Sequence, residues 1–455
     1  MGIPYAHDQL GLRTGPPKVT ILLVVLNVIA YLATSLDYGL LQIGDEWLWW
    51  GAFIPSSLAD PRQWYRLFTS MFLHANLLHI FFNMIFLYNF GRLVETALGG
   101  KRYLVLYLLS GLAAEAFHAA FIPIEGPLTI VTPAIGASGA ISGVLGAYLL
   151  LFPGSKLSLC FFYLYIPICF TASAAAYLIF WFVTQILQGY AMASIGVAVF
   201  AHAGGFVAGM ALLPLLLDRE RHRLLRALTA SQRAFKYIML GSAGLGRLSK
   251  IILVAALTSL AVGSVYSMAS ARQMDVPVKV LEATVTYRIY CAPQTVCDEG
   301  SSRDMVVLQL DGQPRLAAQI SSDPVRIVYN RLEALGLLYD RALARSTKSF
   351  SISRTVRVSG VPVDVRLSME ASYDRLGVLD SAQGSMRATI LSCRAGICVA
   401  SGEGDFDFTL STLISADKAE PVSSIIILLS AVSLLLTLAA IDVTLRKAHD
   451  LELLA

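Results

Sequence analysis

The chain has 455 residues, of which 56% are hydrophobic and only 15% are charged. Soluble domains carry about 25% charged residues, so this composition excludes an ordinary soluble protein and indicates a membrane protein. The net charge of +4 is small, and no long basic tract or basic-aromatic patch indicates a nucleic-acid partner.

Eight apolar segments are candidates for membrane spans, since a span needs about 20 mostly apolar residues. Residues 1–17 are polar and lack the pattern of a cleavable signal, so we expect the first apolar segment to remain as a span. The fourth segment is short and rich in glycine, which is typical of a helix buried among its neighbours. The candidates are residues 18–40, 72–94, 103–123, 137–152, 160–187, 195–217, 251–268 and 422–443.

Lysine and arginine are distributed unevenly between the loops, and this distribution predicts the orientation. With a cytoplasmic N-terminus, all the basic loops fall on the cytoplasmic side, including the linker at 218–250 and the tail at 444–455. The opposite loops at 124–135 and 188–194 contain no lysine or arginine. We therefore expect a multi-pass protein of a bacterial plasma membrane, with both termini in the cytoplasm and residues 269–421 outside.

The segment at 269–421 is polar and has the pattern of a small mixed α/β domain. Residues 279–290 and 349–358 alternate between apolar and polar, as half-buried strands do. Ser322 and Asp323, followed by a proline and by apolar residues at helical spacing, predict the start of a helix. The predicted strands are residues 279–290, 305–310, 349–358 and 405–410.

The six cysteines form two groups. Cys160 and Cys169 lie in an apolar segment and are expected to be small buried hydrophobic residues. The other four lie in the polar outer segment, where the five residues between the first two fit zinc-ligand spacing poorly. Disulfides, which imply an oxidising compartment, agree with the predicted orientation. Three connectivities are open, and we favour the two local pairs, Cys291–Cys297 and Cys393–Cys398.

Polar, reactive side chains lie within three of the apolar segments, where contact with lipid would make them costly. The second segment carries His74, His79 and Asn83, the fourth carries Ser138, and the sixth carries His202. An interhelical hydrogen bond would explain one such histidine, but three segments indicate a functional site. Spans two, four and six run in the same direction, so all of these residues except His74 are expected at a similar shallow depth.

Helical geometry divides the polar residues of the second segment. His79 and Asn83 are four residues apart and share a face of a helix. His74 lies five residues before His79, about 140° away around the helix, and should point elsewhere. The sequence has no His-Glu-x-x-His pattern and no evident third ligand, so no metal site is predicted.

Ser138 and His202 together form the smallest set of residues that can activate a hydroxyl nucleophile, since a serine needs a base to take its proton. No acidic residue lies near either one in sequence, so a dyad is predicted. The N–H of Ser138 at a helix N-terminus favours negative charge. His79 and Asn83 could add donors for an oxyanion.

Glycines on two segments are spaced at about one helical turn. Gly139, Gly143 and Gly146 lie on the fourth segment, and Gly205 and Gly209 lie on the sixth. Small residues at this spacing let helix backbones approach closely, which would bring a hydroxyl and an imidazole into contact. Close packing without catalysis explains the same spacing. An α/β-hydrolase nucleophile elbow is rejected, because a proline-containing loop rather than a strand precedes the serine.

In these segments the sequence resembles the rhomboid family of intramembrane proteases, from residue 18 to residue 217. Gly136, Ser138 and Gly139 match the family's Gly-x-Ser-Gly nucleophile motif. The motif Ala-His-x-x-Gly-x-x-x-Gly is matched on the sixth span by Ala201, His202, Gly205 and Gly209. Further matches are the segment FTSMFLHANLLHIFFNM, Trp64 and Arg66 before it, and Gly91 and Glu95 in a Gly-x-x-x-Glu pattern.

The resemblance implies a six-span protease core at 18–217. The two extra spans and the outer domain fall outside it, and with them the predicted fold is an α-helical membrane bundle with a small extracytoplasmic mixed α/β domain. It implies Ser138 as nucleophile and His202 as general base, with the oxyanion bound by His79, Asn83 and the Gly136–Ser138 turn. Structural support is implied for His74, Arg66, Glu95, Gly139, Gly205 and Gly209. The implied substrates are single-pass membrane proteins, cut near the outer membrane face, and no metal or cofactor is implied.

The sequence departs from the family pattern at two places. Tyr65 separates Trp64 from Arg66, and Ser142 occupies a position where some members stack an aromatic ring on the histidine. Another residue must then orient His202.

Two alternative functions remain open. One is a non-catalytic relative that binds membrane clients, although such proteins typically lose the serine or the histidine. The other is a transporter or channel, whose inverted repeats and broken helices are absent from the sequence. For the outer domain we expect binding of substrate or of a partner protein.

Overall fold

The chain divides into two units in the computed structural model. The first unit contains Met1–Met274 and Val422–Ala455, and the second contains Asp275–Pro421. Each unit has its own apolar core. The described residues are 3–6, 16–163, 166–191, 198–230, 245–271, 278–292, 295–310, 314–316, 320, 322–358, 360–394, 397–414 and 419–453.

Fourteen helices are present among the described residues. In chain order they are α1 (Lys18–Ser35), α2 (Asp45–Gly51), α3 (Arg66–Thr69), α4 (Leu77–Leu98), α5 (Gly100–Ala120), α6 (Ile122–Glu125), α7 (Ser138–Leu151), α8 (Ala174–Tyr190), α9 (Val199–Leu216), α10 (Arg219–Leu228), α11 (Arg247–Ala271), α12 (Asp323–Ala334), α13 (Ala419–Asp442) and α14 (Ala448–Leu451). Short 3₁₀ turns occur at Leu36–Tyr38, Pro55–Ala59, Pro61–Gln63, Ser70–Phe72, Pro127–Val131 and Arg341–Leu343, and a π-helical turn at Val443–Lys447.

Six helices in the described part of the chain are long and apolar enough to cross a membrane. They are α1, α4, α5, α9, α11 and a last long helix, which begins with α13 and ends at Leu451. These six helices correspond to six of the eight predicted spans. The second span begins five residues later than predicted, because Asn76 caps α4 by accepting a hydrogen bond from the N–H of His79. The chain therefore has the helical bundle of a multi-pass membrane protein.

The predicted fourth span is α7, a short apolar helix at the centre of the first unit. All its residues from Gly139 to Leu151 are buried. It packs mainly against α4, α5 and α9. The expectation of a short, glycine-rich helix enclosed by its neighbours is confirmed.

The predicted fifth span, residues 160–187, is wrong in its first half. The chain forms a hairpin there, β2 (Lys156–Tyr163) and β3 (Ile166–Ser173), and α8 begins only at Ala174. Aromatic and β-branched residues in this stretch favour a strand, and Pro167 would interrupt a helix. β3 is an edge strand, where a proline is tolerated, because the sheet order is β1 (Ile3–Ala6), β2, β3.

The second unit is an antiparallel sheet with one long helix. The strands are β4 (Val278–Ala292), β5 (Thr295–Gln309), β6 (Arg315–Leu316), β7 (Thr347–Val358), β8 (Val361–Tyr373), β9 (Leu379–Arg394) and β10 (Ile397–Ile414). Their order in the sheet is β6-β5-β4-β10-β9-β8-β7. The four predicted strands are present as parts of β4, β5, β7 and β10, while β6, β8 and β9 were not predicted.

The helix predicted in the second unit is α12, and it begins where the sequence indicates. The hydroxyl of Ser322 accepts a hydrogen bond from the N–H of Val325, and Pro324 lies in the first turn. Its apolar face, including Val328 and Leu332, packs on buried residues of the sheet such as Val306. The prediction of a mixed α/β domain is confirmed by this unit.

The cysteines differ from expectation at one position. Cys169 is exposed and belongs to a disulfide, so the expectation that it is a small buried hydrophobic residue is wrong. β-sheet register places Cys160 directly opposite it, and Cys393 opposite Cys398. Cys297 also belongs to a disulfide. The favoured pairs in the outer segment stay a prediction, because the side chains of Cys160, Cys291, Cys393 and Cys398 lie outside the described residues.

Candidate active site

Ser138 is the first residue of α7 and follows a loop held in a defined conformation. Gly136 has a φ of +125°, which L side chains rarely adopt. Its N–H donates a hydrogen bond to the carbonyl of Ser70 at 2.9 Å. Ala137 then caps the helix. This short turn brings the half-buried Ser138 to the N-terminus of α7, where the first backbone N–H groups have no acceptor within the helix.

His202 on α9 contacts Ser138 directly. The Nε2 atom of His202 and the Oγ atom of Ser138 are 2.8 Å apart, at hydrogen-bonding distance. The two residues are 64 positions apart in the sequence, so only the packing of α9 against α7 brings them together. The structure therefore contains the hydroxyl-imidazole contact that the sequence predicts.

Glycines explain why α7 and α9 lie so close. A Cβ atom added at Gly205 would overlap the carbonyl of Gly139, and one at Gly209 would overlap the carbonyl of Gly143. Gly205 and Gly209 thus face the backbone of α7 with no side chain between them. Gly139 itself faces α5, because its added Cβ would overlap the side chain of Ala114.

Two residues of α8 contact His202 as well, and neither was predicted from the sequence. The Oε1 atom of Gln185 lies 2.8 Å from the Nδ1 atom of His202, and Gln185 is buried. The ring of Trp181 lies 6.1 Å from the imidazole, centroid to centroid. A glutamine within an apolar helix, four residues after a tryptophan, was the signal that could have identified this face of α8.

His79 lies beside the loop that precedes Ser138. Its Nδ1 accepts a hydrogen bond from the N–H of Ala75 at 3.3 Å, which leaves the ring proton on Nε2. That Nε2 atom would lie 2.8 Å from a Cβ atom added at Gly136, so it faces the loop. The ring of His74 packs edge to face on His79 with 5.1 Å between centroids, and His74 is fully buried.

Asn83 and Gly136 are the other two predicted oxyanion residues. The amide nitrogen of Asn83 donates to the carbonyl of His79 at 3.0 Å and retains a second N–H. Gly136 differs from expectation, because its own N–H is already bonded to Ser70. In this conformation Gly136 provides the conformation of the turn and the space that His79 occupies. The N–H of Ser138 is then the candidate backbone donor for an oxyanion.

A cavity of about 800 Å³ joins these residues. Its lining includes Ser138, His202, His79 and Asn83 together with two buried ionisable groups of α5, Glu115 and His118. One carboxylate oxygen of Glu115 and both ring nitrogens of His118 have no hydrogen-bond partner among the described residues. Such groups are usually satisfied by water, so the cavity suits a hydrated site. Within that same part of the chain no cluster of three His, Cys, Asp or Glu residues has the arrangement of a metal site.

Arg66 and Glu95 each form hydrogen bonds to the backbone of another segment of the first unit. The guanidinium of Arg66 is buried and donates to the carbonyls of Trp49 and Ala52. Glu95 accepts hydrogen bonds from the N–H groups of Val19 and Thr20, at 3.0 and 2.8 Å, at the start of α1. A carboxylate at a helix N-terminus is favoured by the helix dipole. Trp64, the other residue of the loop motif, is half exposed, and its indole N–H donates to the carbonyl of Leu58 at 3.1 Å.

The match to a known family lies within the first unit. Residues 61–219 match the family model described as the Rhomboid domain. The relatives include the rhomboid protease GluP of Bacillus subtilis, 31% identical over 30% of the chain and 25% of that protein, and the rhomboid protease AarA of Providencia stuartii, 32% identical over 29% of the chain and 50% of that protein. Inactive rhomboid protein 1 of Drosophila melanogaster is 33% identical over 22% of the chain and 7% of that protein. The aligned regions thus span half or less of each of these relatives.

Proposed function

We propose that the chain is an intramembrane serine endopeptidase of the rhomboid family, a proposal that the match of residues 61–219 to the Rhomboid domain supports. Ser138 is the nucleophile and His202 the general base. The observation that carries this proposal is the 2.8 Å contact between the Ser138 hydroxyl and the Nε2 atom of His202. A serine beside a base, at the N-terminus of a buried helix and open to a cavity, has the geometry that nucleophilic catalysis requires.

The first chemical step is the attack of Ser138 on the carbonyl carbon of the scissile peptide bond. As the bond forms, the Oγ proton passes to the Nε2 atom of His202, and the carbonyl oxygen becomes an oxyanion. The N–H of Ser138, the Nε2–H of His79 and the second amide N–H of Asn83 are the donors for that charge. His202 then protonates the leaving amine, and an acyl-enzyme remains.

The second step needs water at Ser138. A water molecule gives its proton to His202 and attacks the acyl carbon, and the Ser138 oxygen leaves with that proton. The cavity contains polar atoms of Glu115 and His118 that have no hydrogen-bond partner among the described residues, and these favour water in an otherwise apolar bundle. Water can therefore be held near the acyl-enzyme without crossing lipid.

The substrates we propose are single-pass transmembrane proteins, cut close to the outer membrane face. The reason is the depth of the dyad: Ser138 is at the first residue of α7, whereas the helix continues for four turns toward the opposite face. We further propose a bacterial plasma membrane, with residues 269–421 outside and available to bind substrate or a partner protein. No cofactor or metal takes part in the proposed reaction.

The test is cleavage of a membrane-inserted substrate in proteoliposomes. Ser138→Ala and His202→Ala are expected to abolish cleavage while both proteins keep their helical content. Ser142→Ala is the matched control, because Ser142 lies on the same helix and donates only to the carbonyl of Ser138. A fluorophosphonate is expected to label wild type and the control and to leave Ser138→Ala unlabelled.

The alternative function, binding of membrane clients without catalysis, predicts a different result in the same experiment. A matched relative is described as inactive, so family membership alone does not decide between the two functions. If wild type and both dyad variants captured the same client and none cleaved it, client binding would replace proteolysis as the conclusion.

A further inference from the structure

His202 is bonded on both sides of its ring. Its Nε2 atom is 2.8 Å from the Oγ atom of Ser138, and its Nδ1 atom is 2.8 Å from the Oε1 atom of Gln185. Gln185 is only 8% exposed and comes from α8, whereas Ser138 comes from α7. Three different helices therefore meet at this imidazole.

The contact of Gln185 with Nδ1 matters because the position of the ring proton decides whether His202 can act as a base toward Ser138. A neutral imidazole carries one ring proton, on either Nδ1 or Nε2. His202 acts as a base toward Ser138 only when Nε2 is unprotonated, so the proton must be on Nδ1. A carbonyl oxygen placed at Nδ1 accepts that proton in a hydrogen bond and selects this tautomer.

A glutamine suits this position better than a carboxylate would. An ionised side chain buried between apolar helices loses most of its hydration and needs a compensating partner. The amide oxygen of Gln185 accepts a hydrogen bond without carrying a charge. Trp181, one turn earlier on α8, places its ring beside the same imidazole. Two residues on one face of α8 therefore limit the orientation of the His202 ring.

We propose that Gln185 is a positioning residue for the general base: it holds His202 in the tautomer and orientation in which Nε2 accepts the proton of Ser138. This inference rests on the proposed proteolytic function. The dyad thus acquires a neutral third member, in the role that a carboxylate has in serine-protease triads.

The kinetic test compares three substitutions on α8. Gln185→Met keeps the length of the side chain and removes the acceptor, so kcat is expected to fall about ten- to a hundredfold, less than the ~10⁴-fold loss when a triad is held in the wrong tautomer. KM is expected to stay within about twofold, because Gln185 acts on the base. Gln185→Glu keeps an acceptor oxygen and is expected to retain a higher kcat than Gln185→Met, although its buried charge should lower stability. Thr184→Val is the control, since Thr184 bonds only to the carbonyl of Trp181.

A spectroscopic test does not depend on cleavage. In protein labelled with ¹⁵N-histidine, the signals of His202 are assigned by their loss in His202→Gln. We expect the wild-type spectrum to show a protonated Nδ1 and an unprotonated Nε2, and Gln185→Met to show a mixture of tautomers. Wild type with the proton on Nε2, or an unchanged tautomer in Gln185→Met, would overturn the proposal.

The two tests separate this inference from the proposed function. Cleavage by wild type together with an unaltered kcat in Gln185→Met refutes the role of Gln185 and leaves the protease assignment intact. A wild-type protein that shows the expected tautomer and yet cleaves no substrate refutes the protease assignment alone.

Discussion

At Gly136 a single residue determines the position of two functional groups. Its φ of +125° is strained for any residue with a side chain, and an added Cβ atom would lie 2.8 Å from the Nε2 atom of His79. The proposed oxyanion donor therefore occupies the space that a side chain at Gly136 would need. Backbone strain and loss of the donor are two separate consequences of filling that space.

A matched pair of substitutions separates these consequences. Gly136→Ala is expected to lower kcat about a hundredfold or more, because displacing one oxyanion donor costs about 3–4 kcal/mol of transition-state stabilisation. Gly126 has a similar φ of +105° and open space around its Cα, so Gly126→Ala carries comparable strain without touching His79. We expect both variants to melt at lower temperature, and only Gly136→Ala to lose activity in a steady-state cleavage assay. Equal activity of the two variants would show that His79 does not depend on Gly136.

The contact between α7 and α9 is the element on which the dyad depends. Gly209 faces the carbonyl of Gly143, and Gly146 faces the carbonyl of Phe206, so neither helix has a side chain at the crossing. Adding one methyl group at this contact pushes against backbone rather than against a movable side chain. The helices must then separate, and the dyad, one to two turns away, must separate with them.

Gly209→Ala tests this dependence. Alanine favours a helix by about 1 kcal/mol over glycine, yet overpacking is expected to lower the free energy of unfolding by about 1–3 kcal/mol. Cleavage is expected to fall together with fluorophosphonate labelling of Ser138. Gly246→Ala, at a glycine with open surroundings before α11, is the control and should change stability by about 0.5 kcal/mol or less. Unchanged stability in Gly209→Ala, measured by equilibrium unfolding in mixed micelles, would contradict this packing.

Elements with a strong periodic or compositional signal could be predicted from the sequence. The spans that became α1, α5 and α9 are long and apolar, and α12 begins at a recognisable cap. The hairpin β2–β3 falls within a predicted span, because apolar composition alone does not distinguish a strand from a helix. Pro167 and the aromatic residues around it carry the information that does.

The same limit on prediction from the sequence applies to the individual residues of the candidate site. Ser138 and His202 stand out because polar residues are rare in apolar spans, and their glycine neighbours mark close helix contacts. Gln185 did not stand out, since its partner lies 17 residues away on another helix and only tertiary packing pairs them. The N–H of Gly136 could not be assigned either, because its acceptor, the carbonyl of Ser70, lies in a different loop.

At the scale of the whole molecule, contacts within the first unit bear on its orientation. The Nε2 atom of His222, just after the sixth predicted span, is 2.9 Å from the carbonyl oxygen of Asp450, after the last span. The N–H of Leu453 donates to the carbonyl of Leu151, at the end of α7. The C-terminal ends of α7, α9 and the last long helix therefore lie on one side of the bundle, and basic residues cluster there, as cytoplasmic loops do.

If the last long helix crosses the membrane once, the second unit, which precedes it in the chain, is expected on the face opposite to that of the C-terminal end. If that face is the outer one, a site-specific protease added to spheroplasts is expected to release the second unit from a variant with recognition sequences placed at 272–277 and 415–418. A variant with the recognition sequence within 231–244 is the control and should resist cleavage until the membrane is opened. The released unit should stay folded, because it has its own apolar core.

If this unit binds substrate, cells treated in this way should process fewer client proteins, while fluorophosphonate labelling of Ser138 remains at the untreated level. Cleavage only in inverted vesicles would reverse the orientation, and an unchanged set of clients after complete release would remove substrate binding from the role of the unit.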